Sequence, residues 1–116
     1  MANEAAETQF TTDIDRSAEV TVVKCHGFLV ASTAHLLYRE VHQLIPETKR
    51  IVLDLNDLAH IDSMGIGTLV RLYVSAKSGK CNLQLMNVGG RVKQVLGITN
   101  LLSVFAAAED HNIPIH

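Results

Sequence analysis

The stretch that most limits what this chain can fold into is Ile51-Val52-Leu53-Asp54-Leu55. A near-continuous apolar run of strand length has no face to give to water, so it reads as a strand covered on both sides, the position of a central strand in a parallel sheet. Parallel neighbours in turn require helical crossovers, so the flanking segments have to read as helices with further strands beyond them.

They do. Gln9 to Asp15 reads as an edge strand with Phe10, Thr12 and Ile14 facing one way, and Val20 to His26 as a β-branched strand ended by Gly27. The spacer Arg16-Ser17-Ala18-Glu19 is short enough for a hairpin. Ser32-Thr33 offers an N-cap to a helix whose apolar positions are Leu36, Leu37, Val41, Leu44 and Ile45, with Pro46 marking its end. Beyond the apolar run, Met64 to about Lys77 sets Ile66, Leu69, Val70, Tyr73 and Val74 on one helical face, and Ser78-Gly79 supplies a left-handed stop. Cys81 to Met86 alternates as a strand. Asn87-Val88-Gly89-Gly90 then turns into a short helix carrying Val92, Val95 and Leu96, and Leu101 to Phe105 suggests a last short strand. The expected architecture is α/β: a largely parallel sheet with right-handed crossovers, opened by an antiparallel hairpin. Residues 1–8 read as a flexible tail and 9–116 as a single domain.

Composition narrows the function classes. Hydrophobic residues are 47% and charged residues 19% of 116, enough to build a core without Trp. A net charge of −2 without a basic stripe speaks against a nucleic-acid partner. The start lacks a secretory pattern, and no apolar run nears the roughly 18 residues of a membrane span, so a cytoplasmic protein is expected. Cys25 and Cys81 lack C-x-x-C spacing and read as buried small hydrophobes. The residues leave the oligomeric state open.

The chemistry concentrates after the apolar run. Ligands and reactive groups in α/β sheets gather beyond the carboxyl ends of strands, which here points to the segment Asn56 to Ser63. Ser63 or Asp62 can cap the following helix, and capping alone is a sufficient account of either residue. Two features exceed capping. A helix start favours anions, so a phosphate on Ser63 would meet backbone N–H groups there. Gly65 and Gly67 each cost a helix about 1 kcal/mol relative to Ala, yet leave clearance for a partner's backbone. Asp54, Asn56 and Asp57 form a possible phosphate or nucleotide neighbourhood. With Asp62 the two aspartates could bracket Mg²⁺, or simply solvate a strand end. Gly65-Ile66-Gly67 fails the dinucleotide pattern at Val70, and no Walker sequence is present. His35 and His42 lie two helical turns apart, and His60 beside Ser63 lacks a nucleophile elbow. No catalytic residue, metal or cofactor is expected. Asn87 to Gly90 reads as a turn or a small anion-binding nest.

The stretch from Val52 to Leu69, centred on Asp62-Ser63-Met64-Gly65-Ile66, resembles the signature of STAS domains, specifically the anti-sigma factor antagonists. Weaker matches run through Gly27, Thr33-Ala34, Leu37, Leu83 to Val88, Val92 to Leu101 and Phe105. The resemblance implies a mixed four- to five-stranded sheet with helices mainly on one side, and a bacterial regulatory switch in place of an enzyme. It also implies that Ser63 is phosphorylated by a partner that is both serine kinase and anti-sigma factor. The unmodified form binds that partner, the phosphorylated form lets go, and a PP2C-type phosphatase resets the cycle. Asp62, Ser63, Met64, Gly65, Gly67 and Thr68 would face the partner. Two departures stand out: Val30 replaces the carboxylate of the "Gly-x-Leu-Asp" that many antagonists carry, and the C-terminal helix is short. The same family also implies an alternative, a STAS subunit of a transport or stress-sensing complex. A small nucleotide-binding enzyme using Asp54, Asp57 and Ser63 is a third reading.

Overall fold

The computed structural model describes residues 9–88. Strands β1 (Phe10–Asp15) and β2 (Val20–Leu29) are followed by helix α1 (Ala34–His42) and a 3₁₀ turn (Ile45–Glu47). Then come β3 (Arg50–Ile61), α2 (Ser63–Ser78) and β4 (Asn82–Met86). The sheet order is β1-β2-β3-β4, with β1 antiparallel to β2 and both β2–β3 and β3–β4 parallel. Both crossovers step in the same direction across the sheet, and right-handed connections therefore leave both helices on one face. The expected hairpin, parallel centre and one-sided helices are all present. The suggested helix after Gly90 and the strand at 101–105 lie outside the described residues, as does the tail at 1–8.

The apolar run behaves as its composition demands. Ile51, Leu53 and Leu55 are buried in the core under the helices with Val23, Leu37, Val41, Leu69, Leu72 and Leu83. Val52, alternating to the opposite face, is 1% exposed. Between the helices, the Arg71 guanidinium lies 4.3 Å over the Tyr38 ring.

Several boundaries differ from the sequence expectation. Strand β2 does not end at Gly27 but continues to Leu29, because Gly27 takes φ +97 and the β2–β3 register shifts on either side of it. A Cβ there would overlap the Gln9 carbonyl oxygen. Strand β3 runs to Ile61, so Asn56 and Asp57 belong to a strand and not to a loop. Helix α1 stops at His42, and Pro46, expected to mark its end, is the second residue of the separate 3₁₀ turn. The buried stripe of α2 is Ile66, Leu69, Leu72 and Ala76, while Val74 is 57% exposed. This stripe faces α1 as well as the sheet and is rotated away from Val70 and Val74. The end of α2 is a Schellman motif displaced by one residue. Lys80 takes the left-handed φ of 59 while Gly79 stays at φ −88, and Lys80 N–H and Cys81 N–H donate to Lys77 and Ala76 carbonyls.

Candidate functional site

The carboxyl end of β3 delivers the site. Asp62 has extended backbone and is the N-cap of α2, which settles the choice between Asp62 and Ser63. Its Oδ1 accepts from Met64 N–H at 2.9 Å and Gly65 N–H at 3.0 Å. Its Oδ2 accepts from Ala31 N–H at 3.0 Å, across from the β2–α1 loop, and its own N–H donates to Leu29 O at 3.3 Å. Ser63 is therefore the first helical residue, and it is exposed. The amides that sequence reasoning offered to a phosphate are already occupied by the Asp62 carboxylate.

The residues around Ser63 separate into two groups. Met64 is 57% exposed, Gly67 is half-buried, and a Cβ on Gly67 would meet nothing within 4 Å. Gly65 and Thr68 are buried, contrary to the expected surface placement. The helix start presses on β2 at Gly65, where a Cβ would overlap the Leu29 carbonyl oxygen and sit 2.8 Å from Ile61 Cγ1. Its missing side chain serves internal packing; the clearance that a partner could use is at Gly67. Phe28, 46% exposed and tilted 55° against His60 with centroids 6.2 Å apart, adds an apolar group on the neighbouring β2 end. Sequence reasoning missed Phe28 and Ala31, since β2–β3 pairing brings them to the end of β3, with Phe28 opposite His60, Leu29 opposite Ile61 and Ala31 N–H on the Asp62 carboxylate. At Val30 the Thr33 hydroxyl fastens the loop. Val30 N–H donates to Thr33 Oγ1 at 2.9 Å, and Thr33 Oγ1 donates to Phe28 O at 2.6 Å.

Asp54, Asn56 and Asp57 are not gathered around Ser63. At about 3.3 Å per strand residue, Asp57 lies four residues, about 13 Å, back along β3 from its end at Ile61. With Asp13, Lys24, Cys25 and His26 the three line a shallow open groove of about 230 Å³. His26 organises it: Nε2 is 2.9 Å from Asp13 Oδ2 and Nδ1 is 3.0 Å from Asp57 Oδ2. A neutral imidazole has one N–H, so two carboxylate partners are met by the doubly protonated ring. The Asp13 hydrogen bond raises the His26 pKa above its ordinary 6.5, partial desolvation opposes this, and Asp57 adds to the rise. Asp54 Oδ1 is spent on Asn56 N–H and Asn87 Nδ2. The Mg²⁺ bracket of Asp54, Asp57 and Asp62 is not assembled, and no metal-binding group of three side chains occurs among the described residues. Cys25 and Cys81 are buried; burial, with a smaller push from Asp54, takes the Cys25 thiol up to about 12, and burial also raises that of Cys81. No helix of the described residues is long and apolar enough to cross a membrane.

The STAS domain model matches residues 10–113, nearly the whole chain. The chain belongs to the STAS domain family. Among solved structures, this STAS domain is similar to an anti-sigma factor antagonist from Mycobacterium paratuberculosis at 20% identity and TM-score 0.74, covering 85% of each chain. It is also similar to a putative anti-sigma factor antagonist from Thermotoga maritima at 27% identity and TM-score 0.70, covering 85% of this chain and 84% of the other. A sulfate transporter family protein from Wolinella succinogenes shares the fold at 20% identity and TM-score 0.64, covering 78% and 84%.

Proposed function

We propose that this STAS domain is an anti-sigma factor antagonist, a non-catalytic partner switch set by phosphorylation of Ser63. The observation that carries this reading is the division of labour at the start of α2. Asp62 does the capping, so Ser63 is not needed to hold the helix and stands exposed next to exposed Met64. Unmodified, this end of the domain binds a serine-kinase anti-sigma factor. In the transfer step the terminal phosphoryl group of ATP moves to Ser63 Oγ, ADP leaves, and the hydroxyl proton passes to a base of the kinase. The product carries about −1.5 to −2 charge next to Asp62, inside what was the interface, and like-charge repulsion with desolvation separates the partners. A PP2C-type phosphatase restores the hydroxyl.

The test is binding of Ser63→Ala and Ser63→Glu proteins to candidate serine-kinase anti-sigma factors, with the phosphosite located by mass spectrometry after incubation with ATP. Ser63→Ala is expected to retain binding and Ser63→Glu to lose tenfold or more. Equal affinities would overturn the reading. The likeness to a sulfate transporter family protein supports one alternative, a STAS subunit of a transport or stress-sensing complex with Ser63 unmodified. Co-purification with a transporter, and no phosphate on Ser63, would favour it.

A further inference from the structure

We infer that the solvent face of α2, from Ser63 through Gly67 and Val70 to Val74, is a docking stripe for an amphipathic helix of the anti-sigma partner, one whose narrow apolar face is flanked by acidic side chains. This rests on the reading of Ser63 as part of the partner-facing surface, and it extends that surface along the helix toward its C-terminal half.

At 3.6 residues per turn, positions 63, 67, 70 and 74 fall on one line. That line is opposite the buried stripe of Ile66, Leu69, Leu72 and Ala76. Ser63 is exposed, Gly67 and Val70 are half-buried, and Val74 is one of three large apolar side chains left exposed among the described residues. With a rise of 1.5 Å per residue the line is about 16 Å long, which matches three turns of a second helix.

Nothing in the fold requires the residue types found at 67 and 74. Glycine inside a helix costs about 1 kcal/mol relative to Ala, and β-branched valine is also a weaker helix former. A Cβ at Gly67 would meet nothing within 4 Å, so no neighbour within the domain needs its side chain to be missing. At a contact between helices both types become favourable. Glycine lets a second backbone come to the near end of the usual 8–10 Å between axes, and the valines at 70 and 74 present short, stiff apolar knobs.

Charge decides which kind of helix fits. The segment Ser63–Ser78 contains Arg71 and Lys77 and no Asp or Glu. Both cations are exposed, and the helical angle puts one on either side of the stripe. The Arg71 guanidinium lies over the Tyr38 ring and the Lys77 ammonium 6.0 Å from the Tyr73 centroid; neither meets a carboxylate among the described residues. A second copy of this face would bring only further cations to the rim. A helix with Asp or Glu beside its apolar residues complements both. A phosphate on Ser63 would then set about −1.5 to −2 charge at one end of the stripe, against an acidic occupant.

The experiment titrates the isotope-labelled full chain with a stapled helical peptide long enough to span the stripe, bearing Ala and Leu on one face and Glu beside them, and follows backbone amides by NMR. The amides of Ser63, Gly67, Val70 and Val74 are expected to shift together while those of Thr12 and Thr21 on the far strands stay in place. The same peptide with Lys for Glu should bind at least about tenfold more weakly, and so should the acidic peptide to Val74→Glu and to Gly67→Gln. Position 74 is exposed and position 67 has open space, so both variants should unfold at no lower temperature than the wild type. Absence of shifts at these four amides, equal binding of the Glu and Lys peptides, or wild-type affinity in Val74→Glu would overturn the docking stripe. Concentration-dependent shifts of the same amides without peptide would also overturn it, by giving the face to a second copy. No kinase and no phosphate enter the titration. Its failure would therefore remove the stripe and leave the comparison of Ser63→Ala with Ser63→Glu to decide the switch, while a failed switch would leave the stripe measurable.

Discussion

Strand β3 carries an aspartate-centred site in its middle and another at its end, and the two spend their carboxylates differently. Asp62, at the end, gives both oxygens to backbone N–H groups on separate elements. Asp57, in the middle, gives one to the His26 side chain, which is shared with Asp13 on β1. Backbone N–H donors do not titrate and an imidazole does, so the donor of the second site, unlike those of the first, changes charge near neutral pH. The first site holds an exposed serine in a set frame, which suits a modification switch. The second ties three strands together across the register shift in β2 and bears on stability.

Substitutions at the end of β3 should have the largest effects. Gly65→Ala would drive a Cβ onto the Leu29 carbonyl oxygen, a backbone atom that cannot rotate away, and should cost about 2–3 kcal/mol in denaturant unfolding. Gly67→Ala, with open space around it, should instead gain up to about 1 kcal/mol from helix propensity. If the two variants shifted stability in the same direction, the assignment of Gly65 to internal packing and Gly67 to the surface would fail.

Next in size comes Asp62→Ala, expected to lose about 1–2 kcal/mol through the cap and the Ala31 bond. Ser63→Ala should change thermal stability by less than about 0.5 kcal/mol. A cost at Ser63 equal to that at Asp62 would mean that the serine shares the capping.

The middle site should give the smallest effect, since its groups are substantially exposed and screened. Its sign is defined. The folded-state pKa of His26 lies above its ordinary 6.5, so the folded protein holds the proton more tightly. The stabilisation is complete below the unfolded value and is lost as pH rises through the folded one. Unfolding followed from pH 5.5 to 8.5 should show stability declining upward through that window, and His26→Gln should flatten the decline. An unchanged slope in His26→Gln would assign the pH dependence to other groups.

The same contrast explains what could be read from residues alone. The central strand, the opening hairpin and the two helices were legible because each is encoded by periodicity among near neighbours. The Asp62-Ser63 turn was legible as a capped helix start, although which residue caps was not: both types are competent caps, and the choice depends on Asp62 being extended and tied to Ala31 and Leu29. The β2 boundary was misplaced because Gly27 reads locally as a stop, whereas its positive φ lets the strand bulge and continue along β3. The placement of Asn56 and Asp57 in a loop leading to Ser63 was wrong because β3 is longer than the apolar run: both lie in the strand, and Asp57 meets His26.

The sequence by itself determined a buried parallel strand ending in a capped helix with a serine at its start, since hydrophobic pattern and capping chemistry act within a few residues. Only the tertiary structure decided that Asp62 clasps Ala31, that Gly65 faces Leu29 while Gly67 faces open space, and that His26 lies between Asp13 and Asp57. Most of these contacts join residues about 30 positions apart, and their geometry is fixed by strand register and crossover packing, which local spacing does not encode.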